Sequence, residues 1–153
     1  MNDRKKPMQI GLLGFGTVGG GVYEFVQSRS DMEIKYVLSR RPRPELSCAV
    51  TADFSEIVSD PAVDVIIEAI GGMSPAYEYV TAALRARKHV ITANKLLIAA
   101  HYRELVTLAP AHGVAPRCSA AVGGGIPWPP KLHKTLEQDP VVRIRGLPNG
   151  HTD

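Results

Sequence analysis

The chain of 153 residues is long enough for one domain with a hydrophobic core and too short for two domains of ordinary size. Its composition, 44% hydrophobic and 22% charged, is typical of a folded globular protein and excludes a disordered one. The net charge of +3 comes from short scattered basic groups without interleaved aromatic residues, and no segment has the roughly 18 uncharged apolar residues of a membrane span, so neither nucleic acid nor membrane is an expected partner.

The first predicted element is a strand that runs into a glycine-rich turn. An apolar run from Gln9 to Leu13 precedes GFGTVG (residues 14–19), which has the G-x-G-x-x-G spacing of a dinucleotide-binding turn. There Gly14 lets the chain leave the strand sharply, Gly16 leaves no side chain before a pyrophosphate, and Gly19 lets the next helix approach closely. The first N–H groups of that helix can hold a phosphate. The alternative is a tight strand-to-helix turn without a ligand.

A helix and a second strand follow the turn. The helix is predicted from apolar residues that recur at helical spacing on one face: Val18, Val22, Phe25 and Val26. Ile34 to Leu38 has the composition of a strand, which completes a βαβ unit of about thirty residues.

The residues at the end of this second strand bear on the choice of cofactor. An NAD-binding domain usually places Asp or Glu there to bind the ribose hydroxyls, whereas NADP needs a cation for its 2'-phosphate. This chain has Ser39-Arg40-Arg41, and a hydroxyl with a guanidinium suits the phosphate. We therefore expect NADP, with NAD possible. The other interpretation is that these arginines only solvate a loop.

Three elements are predicted between residues 49 and 72. Ala49 to Thr51 is a weak strand, and Asp53 is the N-cap of a short helix that extends through Val58. Val63 to Ile70 is nearly continuous apolar sequence, which indicates an inner parallel strand covered on both faces. It ends at Gly71-Gly72, where the backbone could pass close to the cofactor.

The next helix begins at Ser74-Pro75, and its last turn is predicted to carry basic residues that suit the helix dipole: Arg85, Arg87 and Lys88. The strand His89 to Thr92 then leads through Ala93-Asn94-Lys95 into a helix that ends near Gly113. The predicted apolar side of this helix consists of Tyr102, Leu105, Val106 and Ala109. Pro110 should disturb its final turn.

Two further strands, Ala115 to Ala121 and Val141 to Arg145, lie on either side of a glycine-rich loop and a short helix from Lys131 to Gln138. Strands that alternate with helices predict an α/β fold with a doubly wound, mostly parallel sheet, a Rossmann-type dinucleotide-binding domain. We expect residues 1–153 to form this single domain. Cys48 and Cys118 have no disulfide or metal-ligand spacing, so reduced thiols in a cytoplasmic protein are expected.

Three later motifs resemble the nucleotide-binding domain of homoserine dehydrogenase: ITANK at 91–95, VGGGIP at 122–127 and RIRGLPNG at 143–150. The earlier LLGFGTVGGGVY and VDVIIEAIGG fit that family in order and spacing, so the resemblance covers nearly the whole chain. It implies reduction of aspartate 4-semialdehyde to homoserine with NADPH or NADH, on the route to threonine, isoleucine and methionine.

The resemblance also implies roles for single residues. Arg40 would meet the 2'-phosphate, Thr92 would lie near the nicotinamide, and the turn would contact the cofactor through Phe15, Thr17 and Val18. Lys95 would reach cofactor and substrate and act as the catalytic residue, where a cation can polarise the aldehyde oxygen. The plainer interpretation of Lys95 is a solvent-exposed lysine at the start of a helix.

A monovalent cation site is implied as well, through the backbone carbonyls of Val122, Gly124 and Ile126. Its alternative is a loop that packs against another domain. Relatives carry a Glu where this chain has Ser119, which removes one charged oxygen from the site.

Members of the family continue into a substrate-binding and dimerisation domain that residues 1–153 do not include, so we expect either a fragment or a truncated relative. Such a chain would bind the dinucleotide, would use a small-molecule substrate only together with that domain, and could self-associate through exposed apolar surface. The alternatives are a nucleotide-binding or sensing module without turnover, a decayed copy, and an unrelated NADP-dependent reductase with the same first domain.

Overall fold

The computed structural model describes residues 6–113 and 116–117. In these residues one sheet contains six strands, all paired in parallel, in the spatial order β3-β2-β1-β4-β5-β6. The strands are β1 Met8–Leu13, β2 Met32–Leu38, β3 Ala49–Thr51, β4 Val65–Glu68, β5 His89–Thr92 and β6 Pro116–Arg117. The helices are α1 Thr17–Gln27, α2 Phe54–Ser59, α3 Ala76–Arg85 and α4 Lys95–Ala111. The predicted doubly wound α/β fold is confirmed.

Helices cover both faces of the sheet, and two apolar clusters lie between the layers. On one face Ile10 and Leu12 of β1 pack in a cluster with Val26 of α1. On the other face Leu13 belongs to a cluster with side chains from α2, α3 and α4. Successive residues of a strand point to opposite faces, so a central strand between two helical layers needs apolar residues at nearly every position. This accounts for the almost uninterrupted apolar sequence of β1.

The predicted apolar face of α1 is only partly correct. Val26 is buried and Val22 packs against the same cluster, but Val18 is 54% exposed and Phe25 is 58% exposed. Val18 lies in the first turn of the helix, next to the glycine turn rather than over the sheet. Phe25 precedes Val26 by one residue, a rotation of about 100° around the helix that takes it off the buried face. Gly19 and Tyr23 complete the face that does pack on the sheet.

Only one of the three basic residues predicted for the last turn of α3 lies in that turn. Arg85 lies in the last turn, whereas Arg87 and Lys88 follow the end of the helix. Lys88 is only 5% exposed, and its ammonium group donates hydrogen bonds to the carbonyls of Asp60 at 2.7 Å and Val63 at 2.8 Å. Burial lowers the pKa of Lys88, while the charge of Asp60 acts in the opposite direction. The prediction that Lys88 lies in the last turn at the negative end of the helix dipole is therefore wrong; Lys88 joins the start of β5 to the connection before β4.

Helix α4 buries Leu97, Ile98, Leu105 and Ala109. Tyr102 is 48% exposed, so its predicted place on the apolar side is wrong. Pro110 lies in the last turn, and the helix ends one residue later at Ala111. No helix in residues 6–113 has both the length and the apolar character that crossing a bilayer would require.

The short elements agree with the sequence pattern. Ala49–Thr51 is a three-residue strand, and the Asp53 side chain caps α2 by accepting a hydrogen bond from the Ser55 N–H at 2.8 Å. The predicted inner strand Val63 to Ile70 is reduced to Val65–Glu68. Of the predicted strand from 115 to 121, Pro116–Arg117 is observed; the remaining elements predicted after it lie outside the described residues.

Candidate active site and cofactor cleft

The glycine turn connects β1 to α1 through two close backbone contacts. Gly14 has φ +94, which favours glycine, and a Cβ at this position would stand 2.9 Å from the carbonyl oxygen of Ala69. A Cβ at Gly19 would stand 2.2 Å from the carbonyl oxygen of Gly14. The first turn of α1 thus lies directly on the turn that precedes it. These contacts agree with the roles predicted for Gly14 and Gly19.

The second glycine of the motif, Gly16, faces open space. A Cβ at Gly16 would meet no atom within 4 Å, although Gly16 is the N-cap of α1 and lies just beyond the carboxyl end of β1. No side chain caps α1, and its first turn contains no acidic residue. Its unpaired N–H groups and the positive end of its dipole therefore remain available to an anion.

A cleft of about 270 Å³ lies in front of these N–H groups. It is lined by Gly16, Thr17 and Val18 on one side and by residues 68–71 and 93–94 on the other. The cleft is located where β1 and β4 are neighbours although α1, β2, β3 and α2 separate them along the chain. Ligands of open α/β sheets bind at this kind of switch point, outside the carboxyl ends of the strands.

Glu68 forms the floor of the cleft and was missed by the sequence analysis. It ends β4, is 0% exposed and lies within a run that reads as apolar. One carboxylate oxygen accepts hydrogen bonds from the N–H groups of Ile70 at 2.9 Å and Gly71 at 3.2 Å. The other oxygen accepts the hydroxyl hydrogen of Thr92. A single charged residue in a strand of apolar neighbours is the sequence signal that could have revealed it.

Thr92, which was predicted to lie near the nicotinamide, is 2% exposed at the end of β5. Its hydroxyl donates to Glu68 and accepts from the N–H of Asn94 at 3.0 Å. Asn94 caps α4 by accepting from the N–H of Leu97, and its amide group donates to the carbonyl of Gly72. Thr92 therefore holds the backbone of this side of the cleft, and its hydroxyl is already used in doing so.

Lys95 is the first residue of α4 and directly follows Asn94, which lines the cleft. Its side chain is exposed and makes no hydrogen bond or ion pair with the part of the chain that the structure describes. The positive charge therefore stands next to the cleft without a partner among residues 6–113. That placement fits both the predicted catalytic role and the plainer interpretation as a solvent-exposed lysine.

The loop after β2 contains the predicted phosphate ligands. Arg40 is exposed and has no hydrogen-bond or ion-pair partner in residues 6–113. It lies between Ser39 and Arg41, and the Ser39 hydroxyl donates to the Arg41 carbonyl at 2.8 Å and accepts from the Arg41 N–H at 3.2 Å. This local turn presents Arg40 at its tip.

Arg43 joins the same loop to the glycine turn, which the sequence analysis did not foresee. Its guanidinium lies 5.1 Å from the ring centroid of Phe15 and donates a hydrogen bond to the Phe15 carbonyl at 3.2 Å. Glu45 is 3.5 Å away on the exposed side. The Tyr23 hydroxyl adds a second link, since it accepts a hydrogen bond from the N–H of Ser47 at 3.2 Å.

The proposed cation ligands Val122, Gly124 and Ile126 lie outside the described residues, as do Ser119 and Cys118. Within 6–113 and 116–117, no group of three or more His, Cys, Asp or Glu side chains is arranged to hold a metal ion. Cys48 is a free, half-buried thiol, and burial raises its pKa.

The fold and the cleft together define a dinucleotide-binding domain of the Rossmann type, with the uncapped helix and the open face of Gly16 at the topological switch point. Comparison with known proteins narrows this class. The family model "Homoserine dehydrogenase, NAD binding domain" matches residues 14–117. The chain belongs to the homoserine dehydrogenase family, and its cofactor is accordingly a nicotinamide dinucleotide.

Individual relatives agree with this assignment. The chain is 35% identical to homoserine dehydrogenase of Pseudomonas aeruginosa over 95% of its own length, and 37% identical to that of Bacillus subtilis over 97%. It spans only 36% and 37% of those two proteins. Among solved structures, homoserine dehydrogenase from Thiobacillus denitrificans has a TM-score of 0.78 at 35% identity, covering 86% of this chain and 34% of that one. The Staphylococcus aureus enzyme at pH 8.5 has a TM-score of 0.71 at 37% identity, with 78% and 34% covered.

Proposed function

We propose that the chain is the NADP(H)-binding domain of an oxidoreductase that interconverts aspartate 4-semialdehyde and homoserine, in the biosynthesis of threonine and methionine. The observation that carries the proposal is the cleft at the switch point, where Gly16 and the uncapped N-terminus of α1 face residues 68–71. An anionic pyrophosphate fits there because the donors are backbone N–H groups and no carboxylate lies in the first turn.

Recognition of the adenosine end is assigned to the loop after β2. Arg40 lies at the tip of a turn and has no partner among the described residues, and a guanidinium can make two parallel hydrogen bonds to a phosphate. Ser39 is a hydroxyl at the position where an NAD-binding domain usually has a carboxylate. Arg43 supports the same assignment because it fixes this loop against Phe15. NADP(H) is therefore the preferred cofactor.

The catalytic role is assigned to Lys95. A bound nicotinamide supplies or accepts the hydride. Lys95 stands at the start of α4 beside the cleft with its ammonium group unpaired in the described structure, so it is free to polarise an aldehyde oxygen as negative charge develops there. Thr92 and Asn94 hold the backbone on which Lys95 is placed.

Residues 1–153 alone are expected to bind cofactor without turnover. The chain spans about 36% of the length of the relatives it matches. Hydride transfer needs the aldehyde held against the nicotinamide, and groups that position the two reactants in this way can lower the barrier by about 7 to 11 kcal/mol. The resemblance assigns those groups to the substrate-binding domain of the family. Further proposals are a monovalent cation at Val122, Gly124 and Ile126, a cytoplasmic location, and self-association of the isolated domain.

The cofactor assignment is tested by calorimetric titration of the chain with NADPH and NADH at one ionic strength. A charged hydrogen bond contributes about 1.5 to 3 kcal/mol, so NADPH should bind roughly tenfold to a hundredfold more tightly. Arg40→Ala should remove most of this difference. Arg103→Ala is the matched control, because it removes the same charge from an exposed position on α4. Equal affinities for the two cofactors in the unmodified chain would contradict the assignment.

Turnover is tested by following NADPH absorbance with aspartate 4-semialdehyde, and in reverse with homoserine and NADP. The isolated chain should be inactive in both directions. Activity that disappears in Lys95→Ala would refute this expectation and would make residues 1–153 a minimal enzyme.

A further inference from the structure

Glu68 is the one carboxylate in residues 6–113 that lines the cofactor cleft and is completely buried. It has no ion-pair partner in these residues, and three hydrogen bonds to Ile70, Gly71 and Thr92 take the place of a cation. Burying an unpaired charge is unfavourable unless hydrogen bonds compensate for the lost water. A Leu would fill the same space but would leave the N–H groups of Ile70 and Gly71 and the Thr92 hydroxyl without an acceptor, so the position calls for a side chain that accepts hydrogen bonds.

The hydrogen bonds of Glu68 belong to a closed circuit around the floor of the cleft. Thr92 donates to Glu68 and accepts from the N–H of Asn94 at 3.0 Å. The amide of Asn94 donates to the carbonyl of Gly72, and the N–H of the neighbouring Gly71 donates to Glu68, which closes the circuit. The circuit connects the loop after β4 to the junction between β5 and α4. Two segments far apart in the chain are thereby held at a fixed separation.

Both connected segments face the same end of the cleft. Residues 69–71 and 93–94 line it opposite the first turn of α1, and Lys95 follows Asn94 immediately. We propose that Glu68 is a positioning residue for the nicotinamide half of the cofactor: through Thr92 and Asn94 it sets the loop after β4 and the start of α4 at the separation that this half requires. The proposal rests on the proposed function, since it concerns the same cofactor.

The adenosine half of the cofactor provides the discriminating measurement. Ser39, Arg40 and Arg43 lie on the loop after β2, and within residues 6–113 none of them makes a hydrogen bond or ion pair with the Glu68 circuit. The fragment 2',5'-ADP contains the adenosine, its 2'-phosphate and one 5'-phosphate, and it lacks the nicotinamide. A defect confined to the Glu68 circuit should therefore weaken NADPH and leave 2',5'-ADP unchanged.

Glu68→Gln is the first variant. The amide oxygen can still accept from Ile70 and Gly71, but its NH2 group faces the Thr92 hydroxyl, which already accepts from Asn94 and loses the acceptor for its own hydrogen. The hydrogen bond between residues 68 and 92 is therefore reversed at nearly constant volume: the NH2 group can donate to the second lone pair of the hydroxyl, whose own hydrogen is left without an acceptor. In the full 153-residue chain, calorimetry should give an NADPH affinity about tenfold lower and a 2',5'-ADP affinity within about twofold of wild type.

Thr92→Val and Thr92→Ser are a matched pair of variants that test the same proposal if Glu68→Gln does not fold. Val has the shape of Thr without the hydroxyl, so it should reproduce the selective loss for NADPH. Ser retains the hydroxyl and should bind both ligands like wild type. Thermal unfolding by circular dichroism identifies the variants that are folded.

Three results would overturn the proposal: unchanged NADPH affinity in folded Glu68→Gln or Thr92→Val, an equal loss for NADPH and 2',5'-ADP, or a loss in Thr92→Ser as large as in Thr92→Val. Failure of the proposed function looks different, because the wild-type chain itself would then bind neither ligand. Arg40→Ala serves as the opposite control, since it should weaken both ligands together.

Discussion

Substitution of Gly19 by Ala tests how α1 is held against the glycine turn. The added Cβ would stand 2.2 Å from the carbonyl oxygen of Gly14, whereas Cβ contacts below 3.0 Å essentially do not occur. Both atoms are fixed to the backbone, so no side chain can rotate to relieve the contact. Helix or turn would have to move by about 1 Å, which would displace the N–H groups that face the cleft.

The expected destabilisation follows from two opposing terms. Forcing extra volume into a packed site costs about 1 to 3 kcal/mol, and a contact between two backbone elements belongs at the upper end. Replacing a helical glycine by alanine stabilises the helix by about 1 kcal/mol. The net loss is about 2 kcal/mol. For a domain of this size it corresponds to a decrease in Tm of about 4 to 8 °C.

Thermal unfolding followed by circular dichroism measures this loss, with Gly21→Ala as the matched control. Gly21 lies in the same helix, is exposed, and has no atom within 4 Å of an added Cβ. Its substitution should raise the Tm, because only the helix-propensity term applies. Equal Tm changes in the two variants would refute the close contact between α1 and the turn.

Two further predictions concern the connection between α2 and β4. Lys88→Met should lower the free energy of unfolding in urea by about 2 to 4 kcal/mol, because the carbonyls of Asp60 and Val63 lose their donor; an unchanged midpoint would contradict the buried placement. Hydrogen bonds from Lys35, Ala62 and Tyr36 lower the pKa of Asp60 from 3.8 to about 2. A carboxyl with a depressed pKa stabilises the fold above its unfolded pKa, so the stability difference between wild type and Asp60→Asn should be constant near neutral pH and should shrink between about pH 4 and pH 2. A difference that grows as the pH falls would refute the assignment.

The sequence predicts the fold well because its signals are local. The G-x-G-x-x-G spacing, the apolar β1 and the side-chain cap Asp53 depend on neighbours within a few residues. The exposed Val18 marks where this reasoning stops, since a helical period gives the face of α1 but not how far the sheet extends beneath it.

The parts of the site that the sequence did not reveal depend on contacts between distant segments. Glu68 lies in an apolar run, and its partner Thr92 is 24 residues away. Arg43 is 28 residues from the Phe15 carbonyl that it binds, and Lys88 is 25 residues from Val63. In each case a charged side chain makes hydrogen bonds with backbone or hydroxyl groups of another element. The spacing of residues in the sequence does not show such hydrogen bonds. The tertiary structure was needed to find the partners of these charged side chains.

The central claim is that a dinucleotide lies against the open face of Gly16, and Gly16→Val tests it most directly. The backbone of Gly16 is extended and an added Cβ would meet no atom within 4 Å, so the variant should fold and lose only about 1 kcal/mol of stability as a poorer N-cap. The added methyl groups would occupy the space in front of the first turn of α1. Titration of NADPH, followed by its fluorescence, should give saturable binding to the wild-type chain and none to folded Gly16→Val. Equal binding by the two proteins would contradict the account.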